Sequence, residues 1–310
     1  MHFKNYEYFL AIVQEGGVSN AAKKLYLSQP SLSKYIKRLE TNLGVELFDH
    51  GSYPLKLTYT GEVYYNHLMQ YIKIDKQFKQ KLLEIKNEKS GEIQLGLAIW
   101  RGACLLPEVL PSFMKQYPGI DVSITEGRSS QLVSDLLSET LDFAVMNLPR
   151  NMNLNKFTYE TLMHEEILLV GNKNNPIVKE ALEADRVSRF PHIDIKRLMA
   201  ERFILTKPGQ NLTSAVDNYF SKHHLQPTNT FKVENVTTAT NLVSAGLGFT
   251  FVPENGLKDD LIPKHLAIFS LNDPDLVWPL AVVTKKDAYT TEVARLFINH
   301  LKHYYASVTI

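Results

Sequence analysis

The chain has 310 residues, 44% of them hydrophobic and 22% charged, and a formal net charge of +1, a composition that excludes a disordered chain and has room for two or three compact units. No run of about 18 apolar residues occurs, so no membrane-spanning helix and no membrane partner is expected, and Met1-His2-Phe3-Lys4-Asn5-Tyr6-Glu7 lacks the apolar core of an export signal. The single cysteine, Cys104, leaves no intramolecular disulfide to form, and a reducing cytoplasm is the expected location.

The charge is unevenly spread. Residues 1–90 hold 13 Lys and Arg against 9 Asp and Glu, so a positive head precedes a mildly acidic body. Such a head suits phosphates, and its modest excess favours a dimer over a module acting alone. Phe3, Tyr6, Phe9, Leu10 and Val13 recur at helical spacing and predict a helix over 3–15, followed by a short one over 19–25. The third, over 29–43, has one dry side. At 100° per residue Ile36, Leu39 and Leu43 fall within about 40° of Leu32, while Pro30, Lys34, Lys37, Arg38 and Thr41 lie opposite. Ser28 is a natural N-cap, and Pro30 in the first turn has no amide hydrogen to satisfy. Two short helices with a tight connection, the second bearing cations, match the helix-turn-helix that enters a DNA major groove. An ordinary amphipathic helix with a solvated basic face is the plain alternative.

Beyond Gly44, the segments Glu46–Asp49 and Pro54–Thr58 predict two short extended pieces around a turn, which makes a wing. From Thr58 to about Lys89 runs one helical pattern without proline. Tyr64, Leu68, Tyr71, Asp75, Phe78, Leu82 and Ile85 alternate in steps of four and three, a near-heptad seam. Either another helix covers this stripe or the helix lies along its own domain. At Gly91 the pattern changes to strand and helix in alternation: strands at 92–97, 120–126 and 143–146, and helices at 105–117 and 130–139. That order implies an α/β unit with a mostly parallel sheet. Further strands are expected at 167–170, 203–205, 231–233, 248–252 and 280–283, with a final helix over 292–304.

Several pieces carry a family likeness. In the head they are Phe9 with Val13, Gly17-Val18-Ser19 before Ala21-Ala22, Leu25, and Ser28-Gln29-Pro30-Ser31-Leu32-Ser33. Ile36 with Leu39-Glu40, Leu43-Gly44, Leu47-Phe48, and Leu57-Thr58 before Gly61 continue it. In the body they are Leu105-Leu106-Pro107 with Phe113 and Tyr117-Pro118, Glu126-Gly127, Leu141-Asp142, Phe203-Ile204 before Gly209, and 242–248 before Pro253-Glu254. Across essentially its whole length the chain resembles the LysR-type transcriptional regulators.

The resemblance implies a winged helix-turn-helix DNA-binding domain dominated by α-helices (1–59), then a linker and dimerisation helix (60–90). An α/β effector domain with two lobes like those of periplasmic solute-binding proteins follows. Lobe I is expected at 91–161 plus 268–302, lobe II at 162–267, and a C-terminal tail at 303–310. It implies a regulator and not an enzyme, with double-stranded promoter DNA, RNA polymerase and further copies of itself, as a homodimer or homotetramer, for partners. Gln29, Pro30, Ser31 and Ser33 are the expected base contacts. Ser28, Lys34, Lys37, Arg38, His50, Tyr53 and Lys56 are the expected backbone contacts. His50 stands where the family usually has arginine, so a constant charge on the wing is not expected. Leu68, Tyr71, Phe78 and Leu82 are the expected dimerisation residues.

No catalytic set, metal site, cofactor motif, Walker pattern or dinucleotide fingerprint stands out. His223-His224 reads as a solvated turn, and Cys104 as a packed or cavity-lining side chain. Open sheets bind ligands at the carboxyl ends of their strands. Trp100, Arg101, Gly102 and Ala103 follow one strand, and Arg128, Ser129 and Ser130 another; Phe203, Gly209, Gln210 and Thr237 are the expected contributors from lobe II. Helix N-termini there favour a carboxylate or other anion as effector. Arg101 replaces the small hydroxyl residue common in the family, and either clamps the ligand or fills the site and pairs with an acid. Thr213 stands near where a family arginine often occurs, which would exclude some acidic effectors. The alternative function is a solute-binding or transferase-like α/β protein whose N-terminal helices serve assembly.

Overall fold

The computed structural model describes residues 3, 5–85, 90–148, 154–254 and 263–308, with the side chains of 77, 80 and 83–85 set aside. The parts of the expected elements at 4, 86–89, 149–153, 255–262 and 309–310 lie outside the described residues, as does the Ile85 side chain of the expected seam. Two compact units are present, Met1–Leu82 and Leu83–Ile310. Among the described residues no helix is long and apolar enough to cross a membrane.

The first unit contains α1 (Tyr6–Glu15), α2 (Val18–Lys24), α3 (Gln29–Leu43), β1 (Phe48–Asp49), β2 (Lys56–Leu57) and most of α4 (Tyr59–Ile85). α1 starts later than its apolar spacing predicts, because Asn5 before it is left-handed. Phe3 still joins the core, its ring 5.0 Å from that of Tyr71. In α3 the dry face forms as expected. Leu32, Ile36 and Leu39 are buried, Ser28 Oγ accepts from the Ser31 amide at 3.4 Å, and Gly44, at φ 71°, ends the helix. The antiparallel β1–β2 wing pairs Phe48 with Leu57 and Asp49 with Lys56. Gly61 lets α4 start against the wing: a Cβ there would stand 1.9 Å from the Leu47 carbonyl oxygen.

The α4 seam divides. Leu68 is fully buried with Phe9, Ile12 and Phe48 and belongs to the core of its own unit, and the half-buried Tyr71 packs against the same core. Ile74, Phe78 and Leu82 are exposed. Of the described seam positions, those in the first half of the helix pack along their own domain, while Phe78 and Leu82 in the second half face outward.

The second unit begins with β3 (Gly91–Ala98), α5 (Ile99–Gln116), β4 (Ile120–Gly127), α6 (Ser129–Leu137) and β5 (Phe143–Asn147). The strands pair in parallel, β3 between β4 and β5. Then come β6 (Phe157–Asn172), α7 (Pro176–Ala184), β7 (Arg202–Thr206), α8 (Asn211–Lys222) and β8 (Asn229–Val233). α9 (Val236–Ser244), β9 (Thr250–Pro253), β10 (Leu266–Phe269), β11 (Val277–Lys285) and α10 (Glu292–Val308) complete it. The main sheet runs β10-β6-β11-β5-β3-β4, with β9 also on β6, while β7 and β8 form a separate parallel pair.

Three expectations change. The strand expected at 167–170 is the second half of the 16-residue β6, which pairs with β11 up to Glu166 and with β9 and β10 beyond it. β6 therefore changes partners at Glu166–Ile167, and the chain crosses back between β10 and β11, Phe269 to Val277, a few residues past the expected lobe bounds of 161/162 and 267/268. The expected tail is mostly helix: α10 continues to Val308, because Tyr305 is another buried residue on its apolar face. Finally, α5 starts directly at Ile99, so Trp100 and Arg101 sit in its first turn rather than in a loop.

Candidate functional site

On the first unit, Gln29, Pro30, Ser31, Ser33, Lys34, Lys37 and Arg38 are all exposed, and Pro30, Lys34, Lys37 and Arg38 lie on the side of α3 opposite Leu32, Ile36 and Leu39. Spacing alone puts them there. Ser28 is engaged as the N-cap, and its Oγ lies 2.7 Å from Ser31 Oγ. The wing is held to α3 by a residue absent from the expected set. Glu40 Oε1 accepts from the amides of Leu47 (2.8 Å) and Phe48 (3.2 Å), and Oε2 lies 3.4 Å from His50 Nε2. An interior-leaning glutamate late in a basic helix is the signal that identifies such an anchor. His50, Tyr53 and Lys56 are exposed on the wing, Tyr53 almost completely.

In the second unit a cavity of about 310 Å³ lies between the lobes. Of the expected effector residues, Trp100, Arg101, Arg128, Ser129 and Gln210 line it; Gly102, Ala103, Ser130, Phe203, Gly209 and Thr237 do not. Phe203 is fully buried in the lobe II core, stacked on Phe251 with Phe220 edge-on and Phe249 tilted against it. Position 102 backs onto Glu126, whose Oε1 a Cβ would meet at 2.1 Å. Thr237 is displaced by one turn position: its neighbours Asn235 and Val236 face the cavity instead. Gly209 keeps a supporting place, since its φ of 93° suits glycine and a Cβ would come 3.8 Å from Arg128 Cδ.

The walls are Ile99, Trp100, Met146, Leu212, Val236, Pro253 and Trp278, with polar groups from Ser129, Asn147, Asn211, Glu234 and Asn235. Arg101 is 3% exposed and its guanidinium bonds to Glu165 and, at 3.3 Å, to Asn147 Oδ1. Asn147 Nδ2 in turn donates to Glu165 Oε1 at 2.7 Å. Burial opposes the Arg101 charge, but Glu165, Tyr305 and Cys104 outweigh it and raise its pKa. The acid pairing expected of Arg101 is present, with Glu165, and the cavity beside it stays open. At the cavity wall Arg128 Nη2 lies 2.7 Å from Glu234 Oε2, and Lys207 bonds to Oε1. Lys207 and Arg128 together hold the Glu234 carboxyl below its usual range. Asn211 Nδ2 donates to the Asn147 carbonyl at 2.5 Å, a second tie between the lobes. Glu165 and Glu234 escape a sequence reading; for Glu234 the signal is its place after β8, just before the Asn235 cap of α9.

Two other groups are structural. His223 is half-buried rather than in a solvated turn: its ring packs 4.6 Å from Tyr219, and Nε2 stands 3.1 Å from Asp273. Lys222 pairs with the adjacent Asp275, at 2.5 Å. Cys104 lies half-buried on α5 and does not line the cavity.

Comparisons with known proteins agree with this architecture. A family model described as LysR substrate binding domain matches residues 86–306, and one described as bacterial regulatory helix-turn-helix protein, lysR family, matches residues 3–62. An HTH-type transcriptional regulator of Bacillus subtilis, YybE, is 29% identical over 96% of this chain and 97% of its own. The full-length CbnR structure in complex with its target DNA superposes with a TM-score of 0.70 at 19% identity, covering 98% of this chain and 99% of that one. The effector-binding domain of QuiR in complex with shikimate matches 70% of this chain and 98% of its own, with a TM-score of 0.59 at 22% identity. At such identities these two likenesses speak for the fold. With a helix-turn-helix head and a two-lobe effector-binding body each matched by its family model, the chain belongs to the LysR family of transcriptional regulators, which are DNA-binding proteins and not enzymes.

Proposed function

We propose that this regulator reads promoter DNA with α3 and the wing, and that a small effector in the interlobe cavity controls it. Gln29, Pro30, Ser31 and Ser33 read bases. Ser28, Lys34, Lys37, Arg38, Tyr53, Lys56 and, when protonated, His50 hold the sugar-phosphate backbone. The second half of α4, with Phe78 and Leu82, pairs subunits into a homodimer or homotetramer, as half-site reading by a small module requires. At the promoter the assembly contacts RNA polymerase.

The observation that carries the effector reading is the cavity itself, enclosed by both lobes, with Arg128 and Ser129 at the N-terminus of α6 on one wall. That arrangement favours an apolar molecule bearing one anionic group. Binding there shifts lobe closure, and the altered packing of subunits resets the spacing of the DNA-reading heads. The test is calorimetry of the full chain against a panel of carboxylates, amino acids and aromatic acids, beside a gel shift on the DNA upstream of its own gene. An effector that binds and changes the gel shift supports the reading; a panel member that binds elsewhere, unaffected by Ser129→Ala, defeats it.

A further inference from the structure

Two arginines line the cavity, and they differ in what a ligand would have to do to reach them. Arg101 is buried against Glu165, itself inaccessible to water. An anion that took Arg101 would strand the Glu165 carboxylate in the interior, which is strongly unfavourable. Arg128 is about half exposed, and so are its partner Glu234 and the second cation, Lys207.

The arrangement of these three is unusual for a surface ion pair. Arg128 comes from the N-cap of α6 in lobe I and Lys207 from the end of β7 in lobe II, and each takes a different oxygen of the one carboxylate. The Glu234 main chain is held in turn by Gln210, whose Nε2 donates to its carbonyl at 2.6 Å. Glu234, which lines the cavity together with Arg128, thus fills, with an atom set the protein supplies itself, a position where two cations from two lobes converge, Lys207 reaching the carboxylate from outside the cavity lining.

We propose that Glu234 is a built-in competitor: it occupies the anion position formed by Arg128 and Lys207, and an effector's carboxylate or phosphate displaces it. The proposal rests on reading the cavity as the effector site. Displacement is mild, because Glu234 swings from a half-exposed pair into water while both cations keep an anion. An uncharged isostere has no means of driving the exchange. The ligand class that follows is a small molecule with an apolar body against Trp100, Met146 and Trp278 and one terminal anion. Because the carboxylate also ties lobe I to lobe II, its release changes what holds the lobes together.

The test is calorimetric titration of the full chain with inorganic phosphate, a probe for the anion position alone. Wild type is compared with Glu234→Gln, Glu234→Ala, and Glu234→Gln combined with Arg128→Gln. Both single variants should bind phosphate about tenfold more tightly than wild type, and the combined variant should lose that gain. Equal affinities in wild type and both single variants would overturn the proposal, as would a gain that survives the loss of Arg128. A gel shift with the same proteins separates the two readings. If carboxylates alter DNA binding while phosphate affinity ignores Glu234, the competitor fails and the effector site stands. If phosphate affinity follows Glu234 but no cavity ligand alters DNA binding, the anion position stands and the control function fails.

Discussion

Arg101 and Glu165 form an ion pair that is almost wholly withdrawn from water, with Asn147 bonded to both partners. Removing either charge leaves the other buried without its counter-ion, with Asn147 still bonded to it. Glu165→Ala should destabilise the second unit by about 3–5 kcal/mol, whereas Arg101→Met with Glu165→Leu should come close to wild type or exceed it. Calorimetric melting of the full chain measures both. A Glu165→Ala transition at the wild-type temperature would show that the pair contributes nothing to the fold.

On the head, base reading and phosphate holding are separable. Gln29→Ala should reduce discrimination at one position per half-site by about 1–3 kcal/mol, because a glutamine amide pairs with an adenine edge. Lys34→Ala should weaken all sequences alike and lower the salt slope by about one unit per lost contact. Gel shifts on cognate and scrambled DNA at several salt concentrations decide both. Equal weakening of the two DNAs by Gln29→Ala would remove it from the base-reading set.

The split of α4 makes neighbouring apolar residues respond differently. Leu68→Ala should cost the head about 2–5 kcal/mol, as expected for a fully buried leucine. Phe78→Glu touches an exposed side chain and should leave the head folded while sedimentation shows fewer dimers. If the Phe78→Glu protein stays fully assembled at low concentration, the subunits meet elsewhere.

Where the lobes divide, burial pushes the Glu166 carboxyl above its usual range; the Ser270 hydrogen bond opposes this and the nearby Glu254 charge adds to it. A raised carboxyl in the folded state holds its proton longer than in the unfolded chain. Its contribution to stability is therefore full below the unfolded value, about 4.3, and is lost as pH rises through the higher folded value. Glu166→Gln removes that loss. The variant should melt about 1–2 °C above wild type at pH 7, a modest shift because the group is partly solvated, and at the same temperature near pH 4. A gap that is the same at both pH values would assign the effect to packing instead.

Much of this was legible from residue spacing. The faces of α3, the wing around Asp49–Tyr53 and the alternation that announces β3, β4 and β5 all follow from local periodicity, which short-range sterics enforce. The cavity was half legible, since the rule that ligands sit beyond strand ends selects Trp100, Arg101, Arg128 and Ser129. What pairs with them was not. Glu165 reaches Arg101 from 64 positions away and Glu234 reaches Arg128 from 106, and no local pattern encodes such a meeting. Spacing reveals only the second half of β6, because the first half, Phe157–Glu166, is largely exposed and shows little apolar alternation. The burial of Leu68 inside its own unit is hidden for a related reason: a heptad stripe says that a face is covered, not by what.

β6 has a mechanical consequence. At about 3.3 Å per residue its 16 residues form a member roughly 50 Å long, clamped by β11 over one half and by β9 and β10 over the other. Neither half can turn without keeping its ladder of hydrogen bonds, so rotation of one lobe against the other is taken up as torsion in the few peptide units around Glu166. Such a member has a restoring torque. The lobes are joined by a spring with a rest angle rather than by a free swivel, so any turn of one against the other strains the ladders on both sides.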